Sequence, residues 1–174
     1  MTIVIKPIAL KHTKAFHQAL DQVARERRYL LLLESPPLEQ IEQVVRYNIE
    51  RDVFHFVALD GKKMVGWCDI RPYTIPGLTH AGELGMGVVA EYRRQGIGYR
   101  LLETTINKAL ANGLSRIELE VFASNHGAKA LYEKLGFEQE GVKRQARYLD
   151  GVWDDLIMMA YLKLSKSNDS NQTG

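Results

Sequence analysis

The sequence predicts an α/β (α+β) fold, a mixed and mostly antiparallel twisted sheet with helices on both faces, built as a single domain. Three observations predict it. Short β-rich runs alternate with segments whose apolar residues recur every three or four positions. Two Asp-Gly pairs stand between such runs as hairpin signals. No linker, internal repeat or shift of composition divides the 174 residues, a length that suits one domain with a substantial core.

Taken in order, Ile3 to Ile8 reads as a first strand. Phe16, Ala19, Leu20 and Val23 fall on one face of a first helix. The run from Arg28 to Glu34 is unusually apolar for a loop, so it either packs on the core or lines something. Ser35-Pro36-Pro37 stops the chain and opens a second helix, with Leu38, Ile41, Val45 and Ile49 expected to share a face. Val53–Leu59 and Lys63–Ile70 form strands around the Asp60-Gly61 turn, and a loop with Pro72, Pro76 and Gly77 precedes a strand from His80 to Val89. A glycine-rich turn then leads into a helix with Leu102, Ile106, Ala109 and Leu110 on one side. Arg116–Phe122 alternates as a strand, Asn125–Leu135 is helical, and two closing strands from about Phe137 and from Trp153 flank Asp150-Gly151. The order is βααββββαβαββ when the strands after the second helix are counted generously. The domain is expected to span 1–164, and the polar segment 165–174 to be a disordered tail.

Composition narrows the function classes. A formal net charge of +2 implies no global polyanion-binding surface, so no nucleic-acid partner is expected. No apolar run approaches the roughly 18 residues of a membrane span, and the N-terminus lacks a secretory signal. The single cysteine rules out an internal disulfide and suits a reducing compartment, so a cytoplasmic protein is expected. The oligomeric state is not legible, and a homodimer stays open.

Arg93-Arg94-Gln95-Gly96-Ile97-Gly98, between a strand and a helix, has the makings of an anion cradle. Glycines let backbone approach a ligand closely, and a helix N-terminus supplies N–H donors and positive potential. A dinucleotide fingerprint would place a third glycine where Leu101 stands, and a mononucleotide loop would follow Gly98 with Lys-Ser/Thr rather than Tyr99-Arg100.

With those excluded, the chain resembles the GCN5-related N-acetyltransferase (GNAT) superfamily from about Ile3 to Leu164. One anchor is Gly87-Val88-Val89-x-x-Tyr92-Arg93-Arg94-Gln95-Gly96-Ile97-Gly98. The other is Glu120-Val121-Phe122-x-x-Asn125-x-x-Ala128-x-x-Leu131-Tyr132-Glu133-Lys134-Leu135-Gly136-Phe137. The resemblance implies a central splayed strand pair opened by a β-bulge, and acetyl-CoA as acyl donor. It implies that backbone at Val88 and Val89 pairs with pantetheine, while amides from Gln95 through Gly96, Ile97 and Gly98 to Tyr99 hold the pyrophosphate beside Arg93 and Arg94. Asn125 is both a natural helix N-cap and, with Ala128, a cofactor contact.

The resemblance further implies transfer of acetyl to a primary amine (small amine, amino acid or peptide N-terminus) by direct attack in a ternary complex. Tyr132, which could equally be a packed helix tyrosine, matches the general acid that protonates the departing thiolate. An ammonium has no lone pair at neutral pH, so a base is needed. Glu83 matches a position where many members carry one, although a solvated strand-edge glutamate is equally natural there. Asp69 is the reserve. Tyr29, Glu34, Asp69 and Trp153 are weaker expectations for the acceptor pocket. Cys68 reads as a buried structural thiol, and the histidines show no metal-ligand spacing, so no metal is expected. A non-catalytic acyl-CoA sensor is the alternative.

Overall fold

The computed structural model describes residues 2–163, so Leu164 and the expected tail 165–174 lie outside the described residues. Seven strands form one sheet: β1 (Ile3–Pro7), β2 (Phe54–Asp60), β3 (Lys63–Pro72), β4 (Ala81–Val88), β5 (Arg116–Phe122), β6 (Glu138–Leu149) and β7 (Val152–Leu162). Four helices accompany them: α1 (Thr13–Ala24), α2 (Leu38–Glu50), α3 (Ile97–Ala111) and α4 (His126–Lys134). Three strands, not four, separate α2 from α3, because the proline- and glycine-bearing segment after Pro72 stays a loop.

The sheet order is β1-β2-β3-β4-β5-β7-β6, antiparallel except for β4–β5. Both Asp-Gly pairs turn as expected, and Asp150 and Gly151 take positive φ of 52° and 79°, the geometry of a tight hairpin turn.

The helices divide between the faces. Phe16, Ala19, Leu20 and Val23 of α1 and Ile41 and Val45 of α2 bury against Val57, Leu59 and Trp67. On the other face Leu101, Leu102, Ile106 and Ala109 of α3 pack on Ala58, Val65, Cys68, Ile70 and Ile117. One expected stripe needs correction. Leu38 and Ile49 are 42% and 41% exposed, whereas Asn48 is 4% exposed, so the inward face of α2 runs Ile41, Val45, Asn48. A polar residue was hidden in what periodicity read as an apolar stripe.

β4 and β5 pair in parallel only from Ala81↔Arg116 to Glu83↔Glu118 and then part company. The expected β-bulge does not cause this: β3 and β4 keep an unbroken register from Gly66↔Val88 to Pro72↔Gly82. The wedge opens by divergence of two strands. From Leu84 onward, the edge of β4 that faces β5 has no strand partner.

Candidate active site

The wedge opens into a cavity of about 1020 Å³ that crosses the sheet. Its α3/α4 side is walled by Met86, Val88, Gly96, Gly98, Asn125 and Tyr132; its α1/α2 side by Phe16, Tyr29, Asn48, His55, Trp67 and Asp69. The apolar loop from Arg28 to Leu32 lines the second half, which settles its ambiguous composition.

At the first end, Gly96 caps α3 with φ of 76°, a left-handed conformation that disfavours any side chain, and a Cβ there would meet nothing within 4 Å. The first helical hydrogen bond is Arg100 N–H to Gly96 O, so the amides of Ile97, Gly98 and Tyr99 have no partner within the helix. Those donors and the helix dipole make an anion site that needs no side chain. Gly98 is needed for packing as well, since a Cβ would stand 3.2 Å from Leu131.

The two arginines beside this site differ. Arg93 forms a bidentate pair with Glu26 at 2.8 and 2.5 Å and donates from Nε to the Val88 carbonyl at 2.8 Å. Hydrogen bonds to charged groups contribute about 1.5–3 kcal/mol each, so moving Arg93 onto a phosphate would sacrifice much of what it gains. Arg94 has φ of 60°, lines the cavity and has no hydrogen-bond or ion-pair partner among the described residues. Of the two, Arg94 is the arginine whose guanidinium is uncommitted among the described residues.

Other expected donor residues sort by geometry. Gln95 turns its side chain back to the Glu91 carbonyl, and Ile97 is core. Tyr99 lines the cavity, with its hydroxyl 3.2 Å from Glu103. Val89 corrects the expected pair of pantetheine-binding valines. It is fully buried in the α1/α2 core, and its N–H is spent on Val65 O at 2.9 Å. Because backbone groups alternate along a strand, the Val88 and Met86 N–H groups point the other way, into the wedge. Asn125 accepts from Ala128 N–H at 3.3 Å as the α4 cap, and both residues line the cavity.

Tyr132 reaches the cavity from α4, packed at 5.7 Å ring-to-ring on Phe137, and its hydroxyl makes no hydrogen bond among the described residues. Burial, with Cys68 adding, pushes it well above an ordinary phenol, so it holds its proton throughout the physiological range.

The carboxylates fall differently from the sequence expectation. Glu83 does not line the cavity; it is half exposed and paired with Arg71 at 3.2 Å. The two that do are Asp69 and Glu120. Asp69 is 9% exposed, and burial, opposed by Arg71 and reinforced by Glu83, raises it to about 6. Glu120 is ion-paired with Lys143. Sequence reasoning missed Glu120, which stands within the second anchor; the alternation of Arg116–Phe122 as a strand is the signal that could have put it on the same sheet face as Glu118.

The glycines of β4 explain the room around Asp69. A Cβ on Gly85 would lie 3.3 Å from Asp69 Oδ1, and one on Gly87 would fall inside the Trp67 indole. Of the weaker expectations, Tyr29 lines the cavity beneath the Arg93 guanidinium, 4.6 Å from its ring centre. Glu34 and Trp153 do not: the first faces solvent and Arg25, the second is 56% exposed against Tyr148.

A wedge between parallel strands, a bare helix N-terminus and a buried tyrosine between them match one family. A model described as the acetyltransferase (GNAT) family matches residues 17–137. The chain belongs to the GNAT family.

An N-alpha-acetyltransferase of Saccharolobus solfataricus is 32% identical to this GNAT chain over 151 residues, covering 81% of it and 86% of the relative. A ribosomal protein bS18-alanine N-acetyltransferase of Escherichia coli K12 is 39% identical over 83 residues, 48% of this chain and 56% of the relative. Among solved structures, a GNAT-family acetyltransferase from Streptococcus pneumoniae superposes with a TM-score of 0.86 at 26% identity, covering 92% of this chain and 99% of the other. The fold is shared too with yncA of Salmonella typhimurium, solved with its cofactor acetyl-CoA, at a TM-score of 0.88 and 15% identity over 98% and 99% of the chains.

No described helix of the GNAT chain is long and apolar enough to cross a membrane.

Proposed function

We propose that this GNAT enzyme moves the acetyl group of acetyl-CoA to a primary amine by direct attack, with a peptide N-terminus or an amino-acid-like amine as acceptor. The observation that carries this is continuity. One cavity joins the anion site at α3, the unpaired edge of β4, Tyr132 and the buried Asp69. Acetyl-CoA supplies a thioester, and the residues present fit it: the α3 amides and Arg94 for phosphate, the free edge of β4 for an extended amide-bearing chain. Asp69, ionised at neutral pH yet close enough to 6 to accept a proton, serves as base for the incoming ammonium. Tyr132, firmly protonated, serves as acid toward the departing sulfur. Glu120, on the facing strand, draws the cationic acceptor in. The names of the two relatives above favour an α-amine acceptor. The lone, buried Cys68 supports a cytoplasmic setting and direct transfer, because burial pushes its thiol up and away from nucleophilic form.

Purified protein is expected to release free CoA from acetyl-CoA only when a peptide or amino-acid amine is added, with the acetylated amine identified by mass spectrometry. Tight acetyl-CoA binding without consumption across amino acids, polyamines, aminoglycosides and peptides would instead make it an acyl-CoA sensor.

The donor site carries two further expectations. Gly96→Val should weaken acetyl-CoA binding at least tenfold by titration calorimetry, because it forces a β-branched residue into a left-handed conformation and fills open space; normal affinity would contradict the cradle. Arg94→Ala should weaken binding about tenfold and flatten its dependence on salt, a screened charge contact being lost. Arg93→Ala should chiefly lower thermal stability.

A further inference from the structure

The α1/α2 face of the sheet hides a polar pair that acetyl transfer as described does not use. Asn48 on α2 and His55 on β2 are 4% and 3% exposed. Asn48 Nδ2 lies 3.0 Å from His55 Nδ1. An amide nitrogen only donates, so Nδ1 accepts and the ring proton resides on Nε2. That Nε2 is buried and has no hydrogen-bond partner among the described residues. Burial, with Arg71 adding, holds the imidazole down at about 3, so the ring is neutral throughout the physiological range.

Folded proteins leave few buried donors unmatched, and one in a cavity wall marks where a bound molecule completes the bond. His55 lines the same cavity as Asp69 and is its register partner across β2 and β3, so the two side chains stand side by side on one sheet face. Cα atoms so paired are about 5 Å apart. A ligand that offers its amine to Asp69 therefore has room for only a few bonds before it meets His55. Phe16, 5.0 Å edge-on to His55, with Ile41 and Trp67 makes the surroundings apolar.

We propose that His55 is a specificity-determining residue whose Nε2–H binds an oxygen of the acceptor three bonds from the attacking nitrogen, and that Asn48 positions it. The acceptor class is then an α-amino carbonyl compound, as in a peptide N-terminus or amino-acid amide, with an apolar side chain against Phe16, Ile41 and Trp67. This rests on the acetyltransferase reading above and narrows it. Asn48 fixes the tautomer: without it the imidazole is free to present a bare nitrogen, which repels a carbonyl oxygen.

The test compares leucinamide with 3-methylbutylamine, the same skeleton without the carboxamide, as acceptors for wild type, His55→Phe and His55→Gln. The ratio of kcat/KM values for the two amines, compared between proteins, cancels their different basicity. His55→Phe is expected to reduce the preference for leucinamide at least tenfold, and His55→Gln, which keeps a donor, to retain part of it. Acetyl-CoA binding by calorimetry shows that each variant is folded. An unchanged preference in His55→Phe overturns the assignment of His55 alone. Turnover of neither amine by wild type with acetyl-CoA bound overturns the acetyltransferase reading and this class with it. Independently of any variant, imidazole nitrogen NMR of the wild type is expected to show the neutral Nε2–H tautomer, and an Nδ1–H tautomer overturns the proposal.

Discussion

Asp69→Asn is expected to lower kcat/KM about a hundredfold at pH 8 and, at the same time, to raise the melting temperature by several degrees. Both effects come from one cause. Asparagine keeps the shape but cannot accept a proton, and general-base contributions are on the order of 10²–10⁴. The stability gain follows from linkage. The folded carboxyl sits near 6, above the ordinary aspartate value of 3.8, because burial penalises the anion. Between those values the unfolded chain has released the proton that the folded chain retains, so wild-type stability falls as pH rises from about 4 to about 6 and is flat above. A shift of that size corresponds to at most about 3 kcal/mol at neutral pH, less to the extent that cavity water reaches the group. In wild type, the acid limb of the kcat/KM profile should sit near pH 6, where the base becomes ionised. In the variant that limb should vanish. Loss of activity with loss of stability would show Asp69 to be structural, and a larger loss in Glu120→Gln than in Asp69→Asn would move the base to β5.

Tyr132→Phe is expected to lower kcat about a hundredfold while leaving the acetyl-CoA dissociation constant within about twofold of wild type. The ring's contacts, including Phe137, survive, and only a hydroxyl with no hydrogen-bond partner among the described residues is removed. No buried group is orphaned, so the stability cost should be small. Stopped-flow measurement of the transfer step under single-turnover conditions separates chemistry from product release. An unchanged transfer rate would exclude Tyr132 as the acid.

Much of this was legible in the residues, and what was not has physical reasons. Amphipathic spacing placed α1 and α3, and the Asp-Gly turns placed both hairpins, because those signals are local. The turn into α3 was legible because a glycine with positive φ before a helix is a backbone requirement written as a residue type. Side-chain partnership was not. Arg93 and Arg94 are adjacent and identical in kind, yet only the chain's path brings Glu26 onto one of them. Glu83 and Asp69 look equivalent on neighbouring strands, but one is half exposed and paired with Arg71, and the other is buried in the cavity wall. Asn48 was hidden for the opposite reason: its partner His55 makes a polar residue acceptable where the pattern called for an aliphatic one.

The paired glycines of β4 constrain how the enzyme can change. Gly85 and Gly87 yield their space to Asp69 and Trp67 from the neighbouring strand, so over this stretch the acceptor chamber takes its side chains from β3 and only main chain from β4. One strand therefore remains free to serve the donor, which is the same in every turnover. Drift toward new acceptors, or a library built to find them, should proceed through positions 67 and 71 and leave the base at 69 and the glycines at 85 and 87 alone. The division of labour between two adjacent strands gives the protein a constant half and an adaptable half within a single sheet.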